Sequence, residues 1–226
     1  MPLLRADEAP KATHTTKATA RSPLGGLRAF AALAWLLAGC SREVAHERAP
    51  CPRGTTDRPA VSDAIVGLLV STREGSELLA ATERSRGRLC FGPQELSVVS
   101  DSSSLVLSDA LSVPEAAARV GHLLVHVRDG LPYRDGDGAQ AGSCEEIADR
   151  ALAREAPAYA LELRLRRELR VEGPVMAFDF ERDYWAAPEA ERDALILGWL
   201  RAHPLGGPGV DALGDGYRAR CEAERR

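Results

Sequence analysis

His122 and His126 stand four residues apart in the stretch GHLLVH. On a helix, four residues advance about 400°, so the two imidazoles lie roughly 40° apart on one face. That spacing can chelate one metal ion. Glu155 follows in the stretch EAPAYALE, with Tyr159 and Glu162 one and two helical turns further on. Other chemistries lack their signatures: there is no G-x-S-x-G, no phosphate-binding P-loop and no dinucleotide fingerprint. Gly207-Pro208-Gly209 reads as a loop feature. Asp135 and Asp137 lack the downstream ligands of a calcium loop and read as a turn. Asp179, Glu181 and Asp183, near Trp185, read as a solvated acidic face.

The histidines need rigid elements to hold them. Ser112-Val113-Pro114-Glu115 carries three helix-start signals: an N-cap serine, an early proline and a glutamate at the third position. The helix it opens should run to about Arg128 and stop at Asp129-Gly130. Ser143-Cys144-Glu145-Glu146 is a second capping box, opening a long helix to about Leu169 with a bend at Pro157. Before them, Leu96–Ser100 and Leu105–Ser108 read as a β-hairpin joined by Asp101–Ser104. Asp57 caps a first helical pattern, and Ser76 opens a second short one through Glu83. Val171–Phe180 holds a Gly-Pro turn and a short strand. A helix from Pro188 or Glu189 to Ala202 and a last one from about Val210 to Cys221 complete the chain. The expected fold class is α+β, mostly α: one disulfide-tied domain over residues 58–226, in which a small hairpin precedes a pair of helices.

Hairpin, His-x-x-x-His helix, then Glu-bearing helix resembles the core of zincin metallopeptidases of the glutamate-ligand type, over about Leu96–Arg170. The resemblance implies zinc bound by His122, His126 and Glu155. It also implies a general-base glutamate directly after the first histidine. That position holds Leu123, so HLLVH stands in place of HExxH. Leucine cannot accept a proton, and the usual mechanism loses its base. Glu115 lies seven residues before His122, about 10 Å of helical rise away, and Glu162 is two turns beyond Glu155, so neither replaces it. The expectation is a noncatalytic zincin-like domain, either without a cofactor or still holding zinc, with a binding or structural role. The alternative is a metal-dependent, peptidase-like hydrolase using His122, His126 and Glu155 with another base. A helical fold of unrelated ancestry is the third reading.

The first forty residues read as an address. Arg5, Lys11, Lys17, Arg21 and Arg28 oppose only Asp7 and Glu8, and the apolar stretch Ala29–Ala38 follows. The stretch is too short to span a bilayer. A basic region, a short apolar core and a small-residue cut site make an export signal. Leu37-Ala38-Gly39-Cys40 resembles the lipobox of bacterial lipoproteins. That likeness implies a signal peptide over residues 1–39, acylation of Cys40 (palmitate class) and a tether over residues 40–57. Several acyl chains would anchor it stably. Ser41 after the cysteine suggests the outer membrane. Cleavage would move the net charge from −4 to −7, because the leader carries away five cations and two anions.

Cys51, Cys90, Cys144 and Cys221 then remain, an even number that reads as two disulfides in an oxidising compartment. Three connectivities can be drawn. The favoured one joins Cys51 to Cys221 and Cys90 to Cys144. No C-x-x-C spacing suggests a thiol metal site. The composition, 45% hydrophobic and 27% charged, excludes a disordered chain. A net charge of −4 leaves no footprint for nucleic acid. The expected partners are a membrane, through the lipid anchor, and a protein of the envelope.

Overall fold

A computed structural model describes residues 49–93, 98–99, 104–134, 136–172, 178–203 and 212–226. The leader, the lipobox with Cys40, Asp135, the Gly173-Pro174 turn and the 206–209 loop lie outside the described residues.

The elements run β1 (Thr56–Asp57), α1 (Pro59–Val70), α2 (Arg73–Thr82), β2 (Leu89–Gly92), β3 (Val98–Val99), β4 (Leu105–Ser108), α3 (Val113–Asp129), a 3-10 turn (Asp137–Ala139), α4 (Cys144–Glu168), α5 (Phe178–Ala186), α6 (Glu189–Ala202) and α7 (Leu213–Glu224). The fold is α+β and mostly α. The described part of the expected hairpin pairs as expected, β3 running antiparallel to β4 with Val98 opposite Val106; Leu96, Ser97 and residues 100–103 lie outside the described residues. The sheet is larger than the hairpin, with strand order β1-β2-β4-β3. β2 lies parallel to β4, Cys90 beside Val106, and β1 antiparallel to β2. β2 escapes a reading by alternation because all four of its residues are buried, which leaves no polar side to give a period of two.

Both capping boxes form. The Ser112 amide donates to Glu115 Oε2 at 2.9 Å, and the Ser143 amide donates to Glu146 Oε2 at 2.7 Å; in each case the serine hydroxyl accepts from the glutamate amide in return. α3 ends at Gly130, whose φ of 98° favours glycine. α4 continues through Pro157 as one helix. α1 starts one residue later than expected, with Arg58 rather than Asp57 at its N-cap, because Asp57 is taken into β1. α2 starts at Arg73, capped by Thr72 instead of Ser76. α5 was not anticipated; α7 runs on past Cys221 to Glu224.

α3 is the central element. Every residue from Ala116 to His126 except Arg119 is buried. One side of it joins α1, α2 and the sheet in a core that includes Ile65, Leu69, Leu105, Leu107, Leu124 and Leu165. A second core gathers α4, α5, α6 and α7 around Leu163, Tyr184, Ile196 and Leu200. Each fully buried Leu or Ile contributes roughly 1.5–3 kcal/mol. Gly121 sets the approach of α3 to α4: a Cβ there would lie 2.2 Å from Leu165 Cδ1. The helices therefore meet one residue before His122.

The disulfides pair as Cys51–Cys90 and Cys144–Cys221. This corrects the expected Cys51–Cys221 and Cys90–Cys144 pairing. Cys90 is a residue of β2, and β1 lies alongside it, so the segment just before β1 delivers Cys51 to a Cα–Cα distance of 5.7 Å. α7 packs along the first half of α4, which brings Cys221 to 5.6 Å from Cys144. Both distances suit a disulfide.

Candidate metal centre

His122 and His126 project from one face of α3 toward α4. His122 Nε2, His126 Nε2 and Glu155 Oε2 form a triangle with sides of 3.1, 3.1 and 3.3 Å. Each residue is buried. The expected trio therefore converges. A zinc ion with bonds of about 2.0–2.1 Å has tetrahedral edges of roughly 3.3 Å, so the three donors stand close to the spacing of one face of such a tetrahedron.

The surroundings explain how the donors are held. Glu162 comes up on the other edge of His122, its Oε2 3.1 Å from Nδ1. The approach is close but oblique, short of a straight hydrogen bond, and neither atom has another hydrogen-bond partner among the described residues. A carboxylate on this side can accept from Nδ1–H, so that with a metal ion bound the Nε2 lone pair would be free to face it. Arg119, one turn before His122, pairs with Glu162 Oε1 at 3.2 Å. The Tyr159 ring meets His122 edge-on, with centroids 4.5 Å apart. Tyr217, from α7, donates its hydroxyl to Glu155 Oε1 at 2.5 Å.

The electrostatics follow from this crowding. Burial alone would raise the Glu155 carboxyl pKa, but hydrogen bonds from His122 and His126 outweigh it and hold the group below the usual range. Glu162 is likewise lowered: burial opposes its charge, and Arg119 with His122 more than offsets that. Burial presses His122 toward neutrality, yet Glu155 and Glu162 raise its pKa above 6.5. Burial, then Glu155, raises the Tyr217 phenol strongly, which keeps it a neutral donor. Of the two carboxylates, Glu162 has the permanent cation Arg119 in contact and Arg166 further off, while Glu155 contacts only imidazoles and a phenol among the described residues. The remaining negative charge is met by a proton on an imidazole or by a metal ion, since unpaired buried charge is costly. The donor set, its spacing and the oblique His122–Glu162 contact all fit a zinc-type cation. His122, His126 and Glu155 would hold it, and Glu162 and Tyr217 would orient two of the three.

Among the described residues no carboxylate other than Glu155 faces the three donors. Leu123 is buried among the α1, α2 and sheet residues. Glu115 is engaged in the N-cap of α3. Glu162, which spacing placed out of reach, does touch His122, but at the nitrogen opposite the one facing the other donors. Arg119 and Tyr217 were not picked out from the sequence. Arg119 had a signal in its position three residues before His122, on the same face. Tyr217 had none, being 62 residues from Glu155. Of the acidic cluster, Glu181 pairs with the buried Arg166 at 3.3 Å, while Asp183 contacts Arg182 on the surface. Asp137 accepts from the Arg134 amide and from Gln140, holding a turn as expected. Among the described residues no helix is long and apolar enough to cross a membrane. Comparison of the chain with protein-family models, with curated proteins and with solved structures finds no match.

Proposed function

We propose that this chain is an exported lipoprotein, anchored through Cys40 to the outer membrane of a bacterial envelope, whose domain serves a binding or structural role and carries out no hydrolysis. In this reading His122, His126 and Glu155 are a buried fastening between α3 and α4 that accepts a zinc-type ion. The observation that carries it is the burial of all three donors beneath Tyr217 together with Leu123 at the base position. Burial of the donors hinders approach of a peptide bond, and among the described residues no further carboxylate faces them to activate water. The use of all four remaining cysteines in two disulfides supports export. The test is elemental analysis of the oxidised, native protein, with mass spectrometry of its amino terminus and a peptidase assay. The expected result is an acylated Cys40 and no cleavage. Stoichiometric zinc accompanied by peptide cleavage, or an unprocessed amino terminus, would remove the proposal.

A second reading, a metal-dependent hydrolase, draws on one observation: three protein donors are the number that catalytic zinc sites use, leaving a fourth position open. It requires that His122→Ala abolish both metal and activity while Leu123→Ala changes little. Activity that survives chelation would rule it out.

A further inference from the structure

Away from the histidines, the C-terminal turn of α4 and the facing side of α5 border an open cleft of about 410 Å³. Arg166, Arg167 and Arg170 line it from α4, and Glu181 and Trp185 from α5, with Leu163 and Val171 supplying apolar surface. Arg166 is buried, and its Nε lies 3.3 Å from Glu181 Oε1. The Arg167 guanidinium stands over the Trp185 ring, 4.6 Å from its centre. Among the described residues no carboxylate pairs with Arg167 or Arg170. Both are exposed guanidiniums at the rim, on a chain whose net charge is −4.

Basic side chains at a helix C-terminus ordinarily complement the helix dipole. That accounts for exposed arginines. It does not account for a buried one held by a carboxylate from another helix. Arg170 ends α4 in a Schellman cap, its amide donating to the Arg167 carbonyl while the Val171 amide donates to the Arg166 carbonyl. Its φ of 53° makes it the one non-glycine residue in the left-handed region among those described. The conformation costs roughly 1–2 kcal/mol in any L-residue and is ordinarily given to glycine. Here it carries a third guanidinium to the cleft rim.

We infer that this cleft binds a phosphate monoester of a small organic molecule. Arg167 and Arg170 contact the phosphate, Arg166 is fixed behind them by Glu181, and Trp185 with Leu163 and Val171 receives the organic part. A monoester is close to a dianion at neutral pH and suits Arg167 and Arg170, with which no described carboxylate pairs. The planar forks of arginine fit phosphate oxygens in pairs.

Isothermal titration of the full oxidised chain tests this with three probes: phenyl phosphate, inorganic phosphate and phosphatidylglycerol vesicles. Saturable binding of phenyl phosphate is expected, tighter than that of inorganic phosphate and weakening as salt is added. Arg167→Ala with Arg170→Ala should weaken it by about ten-fold or more. Arg73→Ala, which removes an exposed charge on α2, should leave it unchanged. Should the double alanine variant fail to fold, Arg167→Lys with Arg170→Lys keeps the charge and loses the fork, and several-fold weakening is expected. Absence of saturable binding, binding indifferent to these variants, or binding to vesicles alone would overturn the assignment.

Discussion

The Tyr217 hydroxyl lies 2.5 Å from Glu155 Oε1, joining α7 to α4 across 62 residues of chain. The same helix is tied to the start of α4 by Cys144–Cys221, one turn beyond Tyr217. Glu155 is therefore gripped on both oxygens, by a phenol on one and by two imidazoles on the other. Tyr217→Phe should keep the ring stacked on Tyr133 and lose only the donor. An expected cost of about 1–3 kcal/mol follows from an unsatisfied buried carboxylate oxygen, read as a lower thermal midpoint.

Glu162→Gln tests the second carboxylate. It leaves Arg119 and His122 without their counter-charge in a buried setting. Stability should fall by about 2–4 kcal/mol in denaturant titrations, and metal affinity should fall about ten-fold or more as His122 loses its orienting partner. Unchanged values for both would mean that Glu162 is a bystander.

Gly121→Val addresses the helix contact. The added Cβ would meet Leu165 Cδ1 at 2.2 Å, and Leu165 is itself fully buried. Overpacking of this kind costs about 1–3 kcal/mol. Because His122 is the next residue, the variant should also bind zinc more weakly than the native protein in a competition assay with a chromogenic chelator.

The two disulfides should differ in weight. Cys144–Cys221 closes a separation of 77 residues and Cys51–Cys90 one of 39. On loop entropy alone, removing the longer bridge should cost about 0.6 kcal/mol more than removing the shorter. Paired Cys→Ala variants compared by chemical denaturation would show it. Only the longer one should also disturb the histidine cluster, since it positions α7.

Acid should act on α3 from its beginning. The Ser112 hydroxyl, opposed in part by burial, holds the Glu115 carboxyl below its ordinary value of 4.5. A carboxylate lowered in the folded state contributes stability above its unfolded value. That contribution is lost as pH falls through the folded one. Glu115→Gln should therefore be less stable than the native protein near neutrality, with the difference shrinking below about pH 4.5. A constant difference across this range would show that the capping carboxylate is not the group responsible.

Local chemistry was legible in the chain. Ser112 with Glu115 and Ser143 with Glu146 announced the two helices that matter, because a capping box is satisfied within four residues. The four-residue spacing of His122 and His126 placed both imidazoles on one face, a consequence of helical pitch alone. Glu155 could be nominated from its helix, though nothing in spacing could say that its oxygen would meet both nitrogens. The close approach permitted at Gly121 decided that. The cysteine pairing, the buried strand β2, the turn of Glu162 toward His122 and the arrival of Tyr217 over Glu155 all depend on which elements lie side by side. Such contacts join residues tens of positions apart. Their partners are chosen by how whole helices and strands bury their apolar faces, and a linear spacing carries no record of that choice.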